Sequence, residues 1–442
     1  MSTIHSEAAE RWLKNFQSDF SESAPESSWL QTSRRQAIAT FSTKGLPTTR
    51  MESWKYTSLS PMLATGFRLA PQVEDSAALP YIEKSLPANR MVFINGRYAP
   101  GLSNLRDTES LILIPLTEAI SRYPQELEQC MVNPRLDNGF SALNEAFWQD
   151  GVYLRLAPHA KLDSPVYLTF VTLADQPCVT HPRVMLFIGE NAALTLVENY
   201  VGKGPYLTNT RSAIHLEKEA RLDYLRLQCE SLAAHHIGEV SVIAEAGSSF
   251  QSHSIALGGV LARVSLSTRL NGSGASCKLH GLMIGHGHQH RDEHTHIQHA
   301  TPDTSSEEHY RSILDDASRS VFCGRVTVEE GASQSNAQQA SHNLLLSREA
   351  EADTLPQLEI FNDDVRCSHG ATVGQLDETA LFYLRSRGID QGEAITMLTR
   401  AFAQVILDSI INPFLQEKLG ALIGDKLDKP QDGGAKHVFF HG

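Results

Sequence analysis

"GENAALTL" (residues 189–196) and "EKEARLDYL" (residues 217–225) follow one plan: a turn of Gly, Asn or acidic residues, then a small residue, then an apolar residue two positions on. The pair is Ala192 and Leu194 in the first and Ala220 and Leu222 in the second. "AGSSFQS" repeats the plan with Ser248 and Phe250, and "GSGASCKL" with Ala275 and Cys277, at steps of 28, 28 and 27 residues. "EEGASQS" then presents Ala332, 57 residues past Ala275 and close to two further periods. Recurrence at a fixed period in strand-rich sequence marks a solenoid, whose coils bury their inner faces only by stacking on one another. The pattern therefore favours a parallel β-helix over a β-sandwich whose turns happen to share this spacing.

The surrounding sequence supports that reading. From Gly151 onward the apolar residues alternate, as in "GVYLRLAP", "SPVYLTFVTL" and "GEVSVIAE", with no convincing helix longer than two turns for about 220 residues. Before this, residues 1–145 mix helical and loop signals, with helical spacing over residues 8–20 and 28–41 and the clearest strand in "RMVFINGRY" (residues 90–98). After Gly374 the helical period returns: Asp377 is a plausible N-cap for a helix closing near Gly388, and two more amphipathic segments follow. The expected organisation is an N-terminal helical and mixed region (1–145), a β-helix core (146–375), a C-terminal helical domain (376–428) and a mobile tail (429–442) carrying the unexplained "VFF".

Composition narrows the function. With 38 Lys and Arg against 51 Asp and Glu, net −13, and no compensating basic run, the chain is not expected to bind nucleic acid or an anionic membrane. Its N-terminus lacks a signal-peptide pattern, and its longest apolar runs fall far below the ~20 residues of a spanning helix, so a cytoplasmic protein is expected. Six scattered cysteines without a C-x-x-C pair point away from a disulfide framework or a zinc ribbon. The P-loop, G-x-S-x-G and H-E-x-x-H motifs are absent, which leaves little support for an autonomous enzyme.

Two clusters could carry metal chemistry. His286, His288, His290, Asp292, His294 and His296 share one parity, so an extended segment would line them along one strand face about 6.6 to 7 Å apart. His290, Asp292 and His294 are acceptable metal donors; the alternative is an exposed polar face of one coil. In "DDVRCSHGATVG" (residues 363–374), Cys367 and His369 also lie two apart, hence on one face. Thiolate and imidazole suit zinc, iron or an iron-sulfur cluster, but two donors make half a site. The rest would come from elsewhere in the chain or from another protein, unless the pair is structural.

"GLPTTRMESWKYTSL" (45–59), "QHRDEHTHIQHATPDTSSEEHYRSIL" (289–314) and the long block 324–389 containing "RCSHG" resemble the SufD family of the sulfur-mobilisation iron-sulfur cluster assembly machinery. Trp54-Lys55-Tyr56-Thr57 favours SufD over its paralogue SufB. The resemblance implies a right-handed parallel β-helix between helical ends, pairing with SufB through the β-helix, and docking of the SufC ATPase on the C-terminal helices. It also implies a nascent cluster or iron site at the SufB-SufD interface, with His369 contributing and Cys367 as second candidate. Such a subunit is non-catalytic alone, since nucleotide chemistry belongs to the ATPase. Reduced flavin could serve as iron reductant in the complex, and homodimers could form without partners. "YRSIL" (310–314) stands where relatives commonly carry Lys-Gly after the Tyr, and the 286–299 segment is richer in histidine than is usual.

Overall fold

The repeat is a coil. In the computed structural model, which describes residues 3–20, 27–82, 89–106, 109–131 and 136–428, Ala193 pairs in parallel with Arg221, Arg221 with Ser249, and Ser249 with Ser276. The reading of residues 429–442 as a mobile tail lies outside the described residues. Each turn contains a residue with positive φ: Asn191 (52°), Glu219 (58°), Gly247 (67°), Gly274 (75°) and Asp303 (58°). The residue that follows points into the corner of the coil and is fully buried: Ala192, Ala220, Ser248, Ala275 and Thr304. That geometry explains both halves of the motif. Gly and Asn enter the left-handed region at low cost, and only a small side chain fits the corner.

Thr304 is the coil that the small-residue pattern passed over; its hydroxyl is held 2.8 Å from both His299 Nδ1 and Ser335 Oγ. Ala332 is not the next corner. Asn336 pairs with Ser305, so Ser335 stands where Thr304 stood, and a longer turn with Gln334 at φ 58° carries the chain there.

About eight coils stack into two long sheets. One runs from Leu111–Pro115 through Gly151–Leu156 to Glu351–Ile360, the other from Arg97–Tyr98 through Arg90–Ile94 to Arg366–Gly374. The N-terminal region is thus built into the sheets: Arg90–Ile94 pairs in parallel with Val166–Leu173, and Leu111–Pro115 closes the other sheet in antiparallel fashion.

Three apolar cores follow from strand alternation. Inward residues such as Leu194, Leu222, Phe250, Cys277 and Leu279 fill the coil interior. Outward residues of the second sheet, Leu225, Leu227, Ile255, Leu282 and Ile313, meet Ala403, Ile406, Leu419 and Ile423 of the C-terminal helices. Outward residues of the first sheet, Val179, Leu207, Ile237 and Leu261, are covered by Trp12, Phe16, Phe41 and Phe140 from the N-terminal region. The N-terminal helices and the C-terminal helices therefore both pack on the solenoid. Among the described residues no helix is long and apolar enough to cross a membrane.

Candidate functional site at the open end of the solenoid

Among the described residues, strands Glu351–Ile360 and Arg366–Gly374 stand last in their sheets, each paired on one side only, with Arg319–Val328 and Asn336–Leu345 respectively. Their free edges present unpaired backbone groups, a template for another strand. Phe361, 61 % exposed, Ile360 and Val373 set apolar side chains beside those edges.

Cys367 and His369 belong to this last coil. Cys367 is in register with Ala337, a buried inward residue, and His369 with Gln339. Alternation therefore aims both down the inner face of the coil, where a further coil would otherwise cover them. Cys367 is half-buried against the Val326, Val328, Ala332 and Ala337 cluster, whereas His369 is exposed. Burial pushes the Cys367 thiol above its usual range, against a smaller opposing effect of the Ala337 backbone. Arg366 takes the opposite face, so it does not activate the thiol. An iron ion would supply the charge needed to hold a thiolate here. Soft sulfur and borderline nitrogen, side by side and open on one side, fit iron or a cluster whose remaining ligands arrive from outside.

The histidine segment is built differently. The strand begins at His290, so His286 and His288 sit on the turn before it and do not join the face expected for them. Its outward residues are His290, Asp292, His294 and His296; the first two meet the N-terminal segment, and His296 Nε2 lies 3.1 Å from Thr327 Oγ1 of the next coil. Thr57 Oγ1 bonds His290 Nε2 at 2.9 Å and donates to Asp292 Oδ2. Arg263 pairs with the same carboxylate oxygen, donates to Ser53 O at 2.7 Å, and lies 4.0 Å over the Trp54 ring. His294 Nε2 stands 2.9 Å from Asp292 Oδ1. Burial alone would raise the Asp292 carboxyl, but Arg263 and His294 outweigh it and hold the carboxyl well below its usual range. Burial lowers His290 to about 4. A metal here would have to displace Arg263, and among the described residues no three His, Cys, Asp or Glu side chains converge as an ion would require. The two motif blocks 45–59 and 289–314 thus meet each other, a pairing the sequence did not reveal.

The C-terminal helices form a second exposed surface. Glu378–Ser386, capped by Asp377 accepting from Thr379 N at 2.8 Å, buries no residue and leaves Phe382 71 % exposed. Gln391–Leu407 and Pro413–Asp428 bury one face against the solenoid and leave Met397, Val405 and Phe414 exposed on the other, with Ile411 exposed on the link between them. On the first of these helices, Ile406 is core, Phe402 is partly buried against it and Val405 is surface.

The geometry defines a solenoid scaffold with an unfinished end carrying a thiol and an imidazole. Comparison with known proteins supplies the class. Residues 170–402 match the family described as SUF system FeS cluster assembly, SufBD core domain, and residues 8–168 match the SufBD protein N-terminal region. The chain is 30 % identical over 441 residues to the iron-sulfur cluster assembly protein SufD of Escherichia coli (strain K12), covering 98 % of each. It is 31 % identical to an iron-sulfur cluster assembly SufBD family protein of Synechocystis, over 94 % of this chain and 95 % of that protein. A further relative is the chloroplastic protein ABCI7 of Arabidopsis thaliana, 30 % identical over 63 % of this chain and 61 % of that one. The chain belongs to the SufD family of iron-sulfur cluster assembly proteins.

Proposed function

We propose that this protein is the non-catalytic scaffold subunit of a cytoplasmic SufBCD complex, joined to SufB through its last coil and to the SufC ATPase through its C-terminal helices. His369, with Cys367 as neighbour, then supplies a ligand to iron or a nascent cluster assembled as cargo between the two solenoids. The observation that carries this reading is the inward aim of His369 and Cys367 in a coil whose two strands have free edges. A partner strand added to those edges would cover the pair and bring the missing ligands. The exposed apolar residues around Phe382 and Phe414 support a second docking surface. The second reading, a brace whose partner holds every ligand, draws support from the exposure of His369.

Co-expression with SufB and SufC, wild type against His369→Ala, purified without oxygen and assayed for iron and acid-labile sulfide per complex, separates the two. A complex that assembles but holds little iron and sulfide supports the ligand role. Unchanged loading makes the protein a brace.

A further inference from the structure

The coil interior holds buried polar side chains among its apolar ones, Glu198 and Arg226 in the early coils and Glu308 and Gln339 near the open end. Directly below His369, in register, lies Gln339, and below Gln339 lies Glu308. Both are buried, Glu308 completely. Gln339 Nε2 donates to Glu308 Oε2 at 2.6 Å. The amide lies across the interior at Gly324: a Cβ on Gly324 would overlap Gln339 Nε2, so this position of the facing sheet must be glycine for the glutamine to lie as it does. Gln339 Oε1 is buried and accepts no hydrogen bond from the described residues. Burying a carbonyl oxygen without a partner destabilises the fold. The protein therefore carries an orphan acceptor on the residue whose backbone lies one strand spacing, about 4.8 Å, beneath that of His369.

We propose that Gln339 is a positioning residue for His369: its side-chain carbonyl takes the N–H of the imidazole nitrogen that faces inward, leaving the other nitrogen bare and directed at the open end. Metal-binding histidines ordinarily donate their second ring N–H to such an acceptor, which fixes the tautomer and the ring orientation. Glu308 sets the amide: with Nε2 committed to its carboxylate, Oε1 is turned away from it. Burial raises Glu308 to about 7, so the carboxyl sits near its own midpoint at neutral pH, and Thr295 and Gln339 act against that rise. This inference rests on the reading of His369 as a ligand; the two side chains are not hydrogen-bonded in this structure, and the contact forms when the exposed imidazole turns inward.

The test uses the full chain labelled with 15N-histidine. A long-range proton–nitrogen correlation reads the tautomer of His369, whose signals are identified by their loss in His369→Ala. The wild type is expected to show one tautomer, and Gln339→Leu a mixture. Gly324→Ala, which pushes the amide aside without changing its chemistry, is expected to give the same mixture, with the circular dichroism melt of each variant as the control for folding. In the complex with SufB and SufC, Gln339→Leu is expected to retain about tenfold less iron than wild type. A tautomer population that is the same in wild type and Gln339→Leu overturns the proposal. If His369→Ala leaves iron loading unchanged, it is the ligand reading that falls, and the tautomer still decides the contact.

Discussion

The Arg311 guanidinium lies 4.5 Å above the Phe402 ring and donates to the Phe402 carbonyl at 3.0 Å, tying an outward position of the strand Ser305–Leu314 to the helix Gln391–Leu407. This is the Arg of "YRSIL", and it forms a local clasp between solenoid and helix. Replacing Arg311 with Ala removes a cation–π contact and a charge-assisted hydrogen bond. The expected loss is about 1–3 kcal/mol, with faster proteolysis confined to residues after 390. Limited proteolysis followed by mass spectrometry checks it, and cleavage rates matching the wild type would show that the apolar seam alone holds the helix.

Asp292→Asn tests the meeting of the two motif blocks. Arg263 is buried, so the substitution leaves its charge without its carboxylate, at a cost of about 3–5 kcal/mol by urea unfolding. Thr57→Val should cost less, about 1–2 kcal/mol, since Arg263 still compensates the carboxylate. Equal losses from the two would mean that Thr57, rather than the ion pair, carries the junction.

Acid should unfold this protein early. Burial holds His181 and His253 at about 3 and His235, His280, His290 and His299 at about 4. In the unfolded chain these groups bind protons below about pH 6.5, so the unfolded state takes up more protons and stability falls as pH drops from 6.5 toward 4. Glu293 and Glu308, raised to about 7 by burial, act in the opposite sense: the folded state holds their protons above the unfolded value of about 4.3, and their contribution is lost as pH rises toward 7. Six histidines against two glutamates leave a net uptake of about four protons on unfolding near pH 5. The slope of unfolding free energy against pH, from urea melts between pH 4.5 and 6.5, measures it. A flat profile would contradict the burial of these rings.

Tyr310 fills the coil interior over Gly281, where a Cβ would overlap its ring, and stacks on Phe322 with centroids 4.4 Å apart. Gly281→Ala should therefore destabilise by about 1–3 kcal/mol through overpacking. Adding Tyr310→Leu should recover part of that loss, because the clash then disappears. A Gly281→Ala protein as stable as wild type would show that the ring can move.

Phe361→Asp addresses the free edges. A solvated apolar side chain can be exchanged at little cost to the fold, within about 0.5 kcal/mol. If the last coil is where SufB docks, the same change should weaken the complex by about 2 kcal/mol or more, which pull-down and analytical ultracentrifugation would register. Normal assembly would move the interface elsewhere.

Sequence alone determined the solenoid. The left-handed turn residue and the small corner residue are local requirements of every coil, so they recur in the chain at the coil length and can be read without knowing what stacks on what. Helix caps such as Asp377 are legible for the same reason. The alternation of strand residues also put Cys367 with His369, and His290 with Asp292 and His294, on common faces. Which face was inward, however, depends on register between strands about 30 residues apart, as between Gln339 and His369. Only the tertiary structure decided that Cys367 and His369 look down an open coil while Asp292 is committed to Arg263 and Thr57. Thr304 and Ser335 hid from the repeat because a corner accepts any small buried side chain once its hydroxyl is bonded, and an added turn shifts the spacing. Gln339 and Glu308 carried no motif at all: each is an ordinary polar residue until stacking places one above the other beneath His369. Periodicity records what each coil needs for itself, and the site arises from what neighbouring coils impose on one another.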